Sequence, residues 1–189
     1  MHACTERLLI DALRDSDAAA LFACRGDPRV GRYQGWQPRS INDAREFIAS
    51  NAAVVTGTPG GWCQRGIRLR DGGALIGDLG LHFLAEAEQT VEIGISVAPA
   101  WQGRGLASEA LHAALAHVFD QLHRHRVVAS VDPRNLACRK LLAKLGLRQE
   151  AHFRESLWLH DAWVDDMVFA MLAHEWSAGG RGRAEAVKL

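Results

Sequence analysis

The run Thr90–Ala114, TVEIGISVAPAWQGRGLASEALHAA, constrains the fold more than any other part of the chain. Val91, Ile93, Ile95 and Val97 share one face and Glu92, Gly94 and Ser96 the other, the period of a strand. Pro99 breaks it. From about Gly103 to Leu122, Leu106, Ala110, Ala113, Ala114, His117 and Val118 recur at spacings of three or four, the period of a helix. Gln102-Gly103-Arg104-Gly105-Leu106-Ala107 joins the two. The first N–H groups of a helix have no intrahelical partner and sit at its positive end. Gly103 and Gly105 remove the side chains that would hold an anion away, so the junction is a candidate grip for a pyrophosphate. The alternative is a turn that only reverses the chain. Arg104 either adds a charged contact to phosphate or is simply solvated. The chain lacks the Gly-Lys-Ser/Thr of a P-loop and the first glycine of a dinucleotide fingerprint.

The remaining elements follow from pattern. Arg7–Ile10 reads as a strand, and Asp15-Ser16-Asp17 as caps for a helix through Leu21 and Phe22. Asn42–Ser50 reads as a helix with Asn42 or Asp43 near its cap. Trp62–Leu69, Ala74–Phe83 and Thr90–Val97 form a meander, with Asp71-Gly72-Gly73 as its first hairpin turn. Val127–Val131 is a strand, and Asn135–Leu145 a helix stopped at Gly146. Arg148–His160 and Trp163–Met171 form a closing hairpin. The order β-α-α-β-β-β-α-β-α-β-β predicts one α/β (α+β) domain. Its sheet is mixed and mostly antiparallel, of six to seven strands flanked by about four helices. The domain is expected over 5–176, with the Gly-, Ala- and charge-rich 177–189 as a disordered tail.

A chain of 189 residues, 48% apolar and 23% charged, fits one domain with a sizeable core. Its formal net charge of zero gives no global reason to expect nucleic acid or a membrane surface as a partner. No apolar run approaches a membrane span. Cys4, Cys24, Cys63 and Cys138 are scattered without a CxxC pair, so a cytoplasmic location is expected. His117, His123 and His125 lack an HExxH or Cys/His pattern, and no metal is expected.

The glycine turn also resembles a known signature. Gln102-x-x-Gly105-x-Ala107 after a strand is similar to the acyl-CoA motif of GCN5-related N-acetyltransferases. Asn135-Leu136-Ala137-Cys138-Arg139-Lys140-Leu141 and Lys144-Leu145-Gly146-Leu147 resemble that family's second cofactor segment. Thr5-Glu6-Arg7-Leu8-Leu9-Ile10, Asp27-Pro28, Tyr33-x-Gly35-Trp36 and Trp163-Val164-Asp165-Asp166-Met167-Val168 resemble its ribosomal-protein N-terminal acetyltransferase subgroup. The resemblance implies acetyl-CoA as co-substrate, an amine acceptor (a protein N-terminus or a small molecule) and often a homodimer. It also implies a strand that splays from its neighbour, so that the main chain of Ile95, Ser96 and Val97 pairs with pantetheine amides. Gln102, Gly103, Arg104, Gly105, Leu106 and Ala107 are expected at the cofactor, with Asn135 and Cys138. Tyr33 and Trp36 are expected at one wall of the acceptor site.

Acetyl transfer to an ammonium needs a base, and the departing thiolate takes a proton. Glu92, a mid-strand carboxylate beside the turn, is the favoured base, acting through a water and touching the acceptor. Its alternative is a structural carboxylate, and Asp165, Asp166, His160 and Asp161 compete for the role. For the acid, relatives often carry Ser three residues after the Asn or Tyr seven after it. Cys138 and Leu142 stand at those positions here. Cys138 is a candidate proton donor or a packing residue; Leu142 cannot donate. A non-catalytic acyl-CoA-binding module on the same scaffold is the rival reading, and a longer acyl chain is a further alternative.

Overall fold

Strand alternation and helix periodicity generate a sheet with unlike faces. The computed structural model describes residues 1–52, 54–87 and 89–184. Strands β1 (Ala3–Cys4), β2 (Leu8–Ala12), β3 (Trp62–Leu69), β4 (Leu75–Phe83), β5 (Thr90–Val97), β6 (Arg126–Val131), β7 (Arg148–Leu159) and β8 (Ala162–Leu172) form one eight-stranded sheet. Its spatial order is β1-β2-β3-β4-β5-β6-β8-β7. Neighbours are antiparallel except β5 and β6, which run parallel. The helices are α1 (Ala18–Arg25), α2 (Pro28–Gly31), α3 (Ile41–Ala52), α4 (Leu106–Ala116), α5 (Leu136–Leu145) and α6 (Ala173–Ala184). The mixed, mostly antiparallel architecture matches expectation, with somewhat more strands and helices.

Leu79, Leu81, Ile93 and Val127 point to one face, where they bury against Leu111, Leu115 and Leu142 of α4 and α5. The alternate residues of the central strands point the other way. There α1 and α3 close a second, smaller cluster of Ala18, Leu21, Ala44 and Ile48. The second face carries charge. Asp78, fully buried, accepts two bonds from Arg25 of α1, Nε to Oδ1 at 2.9 Å and a terminal nitrogen to Oδ2 at 2.6 Å. Burial works against the Arg25 charge, and the Asp78 carboxylate overcomes it. Nearby, Arg68 donates to Asp11 and to both oxygens of Asp17.

Four local expectations change. Asp17 does not cap α1, because its carboxylate is committed to Arg68. The start of α3 is held by Ser40, whose hydroxyl accepts from the Asp43 N–H at 3.1 Å while the Asp43 carboxylate accepts from the Arg39 N–H. The segment expected as a tail from Ser177 instead continues α6 through Ala184, and 185–189 lie outside the described residues. That helix is anchored before its glycines begin: Glu175 accepts from the Leu172 N–H, and Trp176 packs near Phe119 and donates to Asp120. The helix expected to reach Leu122 ends as α-helix at Ala116, and one π-type turn covers His117–Gln121.

Candidate active site

The parallel pairing of β5 with β6 extends only from Thr90↔Arg126 to Glu92↔Val128. Beyond Glu92, β5 stays on β4 as far as Val97, while β6 stays on β8 as far as Val131. The two strands therefore part, and the backbone of residues 93–97 has no strand partner on the gap side. At the open end the chain makes the glycine turn. Gly103 and Gly105 have φ of +74° and +78°, a region L side chains rarely adopt, and Gly105 is the N-cap of α4. A Cβ at Gly103 would meet nothing within 4 Å, so the turn is open to a ligand.

The turn is braced from outside. Glu109 of α4 accepts from the Thr5 hydroxyl (2.5 Å), the Arg7 N–H (2.9 Å) and the Arg7 Nε (2.7 Å). Burial would push the Glu109 carboxyl up, but these bonds outweigh it and hold it below the usual range. Arg7 also donates to the Arg104 carbonyl at 3.0 Å. The Gln102 side-chain amide donates to the Val97 carbonyl at 2.8 Å, fastening the turn to the strand end.

One cavity of about 940 Å³ runs from this turn through the gap to the α1–α3 side. Of the residues expected at the cofactor, Ile95, Ser96, Val97, Gln102, Gly103, Gly105, Leu106, Ala107, Asn135 and Cys138 line it. So do Glu92, Tyr33 and Trp36. Arg104 does not; its guanidinium lies over the Trp101 ring, 4.8 Å from the centroid. Ser96 is 3% exposed and its hydroxyl lacks a protein partner. Open amides, an unpaired strand edge and an orphaned hydroxyl fit an elongated ligand with a polyanionic end and an amide-bearing arm.

Asn135 caps α5, its Oδ1 accepting from the Cys138 N–H at 3.1 Å. Burial pushes the Cys138 thiol up to about 11, so it keeps its proton through the neutral range. Leu142 is buried core. Of the competing bases, His160 lines the cavity and lies 3.2 Å from the Gly31 carbonyl, whereas Asp165 is engaged by His152 (2.7 Å) and the Glu155 N–H. Asp166 accepts from the Ser130 hydroxyl at 2.7 Å. The Tyr33 hydroxyl donates to the Arg134 carbonyl at 3.3 Å, so Tyr33 and His160 tie the α2 segment to the loop before α5 and to the β7–β8 turn.

Sequence reasoning missed the partner of Glu92. His82 faces it across β4 and β5, with Nδ1 3.2 Å from Oε2. The signal was the hairpin register, which puts both residues on one face. Trp62 also lines the cavity and stacks on His82, centroids 4.8 Å apart.

A family model described as an acetyltransferase (GNAT) domain matches residues 7–148. The chain is 30% identical over 177 residues to YnaD, an uncharacterized N-acetyltransferase of Bacillus subtilis, covering 94% of this chain and 100% of that one. It is 34% identical over 87 residues to the ribosomal protein uS5-alanine N-acetyltransferase of Escherichia coli, covering 46% and 45% of the two chains. A GNAT-family acetyltransferase structure from Bacillus anthracis superposes with a TM-score of 0.81 at 27% identity, covering 92% of this chain and 99% of that one. The parted strands and open turn thus have a family to explain them: the chain belongs to the GNAT acetyltransferases, acetyl-CoA-dependent enzymes.

Proposed function

We propose that the protein transfers the acetyl group of acetyl-CoA to a primary amine, the amine attacking the thioester directly. The observation that carries this is the single cavity holding Glu92 at the closed end of the strand gap and the glycine turn at its open end. Acetyl-CoA supplies an activated acyl carbon. The amides of the Gly103–Ala107 turn face its diphosphate, the main chain of Ile95–Val97 pairs with its pantetheine amides, and Asn135 and Cys138 flank the arm. Glu92 takes a proton from the incoming ammonium, directly or through one water, which frees the nitrogen lone pair. The Cys138 thiol hands its proton to the departing thiolate, and the second amine proton, released as the tetrahedral intermediate collapses to the amide, returns to the Cys138 sulfur. The acceptor is a protein N-terminal amine or a small amine, and the name of the Escherichia coli relative favours the former. The domain is read as 5–176, in a cytoplasmic enzyme. It pairs as a homodimer; the edge strand β7, with exposed Phe153, Leu157 and Trp158, supports this, and sedimentation velocity reads it directly.

Calorimetric titration with acetyl-CoA, followed by thiol release across a panel of peptides and small amines, tests the reading. Tight binding without turnover on any amine would favour a binding module instead. Gly105→Val is the internal control. A β-branched residue at that φ stores about 1–3 kcal/mol of strain, relieved only by moving the turn amides. Acetyl-CoA affinity is expected to fall about 10- to 100-fold; wild-type affinity would remove the turn from the phosphate site.

Cys138→Ala is expected to lower kcat about 10-fold or more with acetyl-CoA affinity retained, and Cys138→Ser to restore part of it. With the thiol at about 11, proton donation persists across neutral pH and fails only as pH approaches that value. Unchanged kcat in Cys138→Ala would leave the thiol as packing.

A further inference from the structure

The face of the sheet beneath α1 and α3 carries a constellation that binding acetyl-CoA does not require. Trp62 and Gln64 of β3 stand opposite His82 and Gly80 of β4, which in turn stand opposite Glu92 and Gly94 of β5. The two glycines pair with each other at the centre. A Cβ on Gly80 would lie 2.8 Å from two indole atoms of Trp62 and 2.9 Å from the Gln64 amide nitrogen; one on Gly94 would lie 3.7 Å from the same indole. Bare backbone at both positions lets the indole lie across β4 toward β5. It packs on the His82 ring at an interplanar angle of 11°, and His82 meets Glu92. Trp62 is 37% exposed and lines the cavity together with Gln64 and Glu92. Gln64 is 8% exposed, and its amide oxygen is buried without a partner.

A partly uncovered indole, an orphaned amide oxygen and a carboxylate within one patch are complementary to one kind of group. An anion would be repelled by Glu92, and an apolar group would leave the Gln64 oxygen unmatched. A cation satisfies all three, since the indole face attracts positive charge and the oxygens accept N–H bonds. Of the arginines in the wall, Arg25 is held by Asp78 and Arg29 by Asp27, and Arg32 lies over the Tyr33 ring.

We propose that Trp62, Gln64 and Glu92 form a cation subsite that receives the acceptor as its ammonium ion, selecting strongly basic alkylamines over weakly basic arylamines. This rests on the reading of the cavity as the acceptor site. The ammonium docks charged, gives one proton to the Glu92 carboxylate in place, and only then presents its lone pair. Trp62 and Gln64 act as specificity-determining residues.

The test uses choline and its neutral carbon isostere, 3,3-dimethyl-1-butanol, titrated calorimetrically into the intact protein. Choline is expected to bind about 10-fold or more tightly than the isostere, and to compete with the amine acceptor but not with acetyl-CoA. Trp62→Leu should weaken choline roughly 10- to 30-fold, with Trp62→Phe recovering part. Gln64→Leu should weaken it less, and acetyl-CoA affinity, unchanged in all three, verifies the fold. Binding of neither probe, equal binding of both, or no loss in Trp62→Leu overturns the proposal. If choline binds with the stated preference but no amine is acetylated, the subsite stands and the transferase reading falls.

Discussion

Replacing Glu92 with Gln is expected to lower kcat by about 10²- to 10⁴-fold, the range that a positioned general base contributes, and to leave acetyl-CoA affinity unchanged. Gln keeps the size of the side chain and an oxygen within reach of His82, so the strand register and the indole–imidazole stack survive. What is lost is the proton acceptor. The pH profile separates this from a structural effect. An alkylamine with a pKa near ~10.4 supplies about tenfold more neutral nucleophile per pH unit below that value. The variant's rate should therefore climb with pH and narrow its deficit. Near-wild-type kcat at neutral pH would dismiss Glu92 as the base and turn attention to His160, which shares the cavity.

Asp78→Ala is expected to destabilise the fold by about 3–5 kcal/mol, the cost of stranding a buried charge. The Arg25 side chain is 9% exposed and Asp78 is fully buried, so water cannot readily replace the lost partner. For a chain of this size that predicts a fall in Tm of about 6–20 °C. Function should suffer as well, because Arg25 lies 5.5 Å from the Trp36 ring centroid and 5.6 Å from that of Phe47, in the acceptor wall. Replacing both partners with apolar residues of similar volume should cost much less than the single change. Denaturant melts of the single and double variants measure both numbers. A single-variant loss within ~1 kcal/mol, the ordinary value of an exposed pair, would contradict the burial argument.

Strands β3, β4 and β5 could be read almost to the residue, because alternation and the Asp71-Gly72-Gly73 turn act locally. The backbone form of the glycine turn and the helix opening at Asn135 were legible for the same reason: both follow from residue type and short spacing. The pairing of His82 with Glu92 depends on register across a hairpin, and residue-by-residue pattern does not carry it. The parting of β5 from β6 is a main-chain event between strands far apart in sequence, and it came only from family resemblance. Helix α2 is four residues long, too short for any periodicity. Composition misjudged α6, since its glycines outweighed the two residues, Glu175 and Trp176, that hold its first turn. Arg104 looked like a phosphate ligand by charge, but its side chain stacks on Trp101.

The parted strands also act as a ruler. From Glu92, where β5 last touches β6, to Val97, where β5 ends short of the turn, the strand advances five residues, about 17 Å at roughly 3.3–3.4 Å per residue. With the diphosphate proposed at one end and the base at the other, that length is built into a rigid strand. A donor whose thioester hangs on a shorter arm can be gripped or can reach the base, but cannot do both. On the proposed placement, donor choice is set by distance, independently of any contact with the acyl group itself.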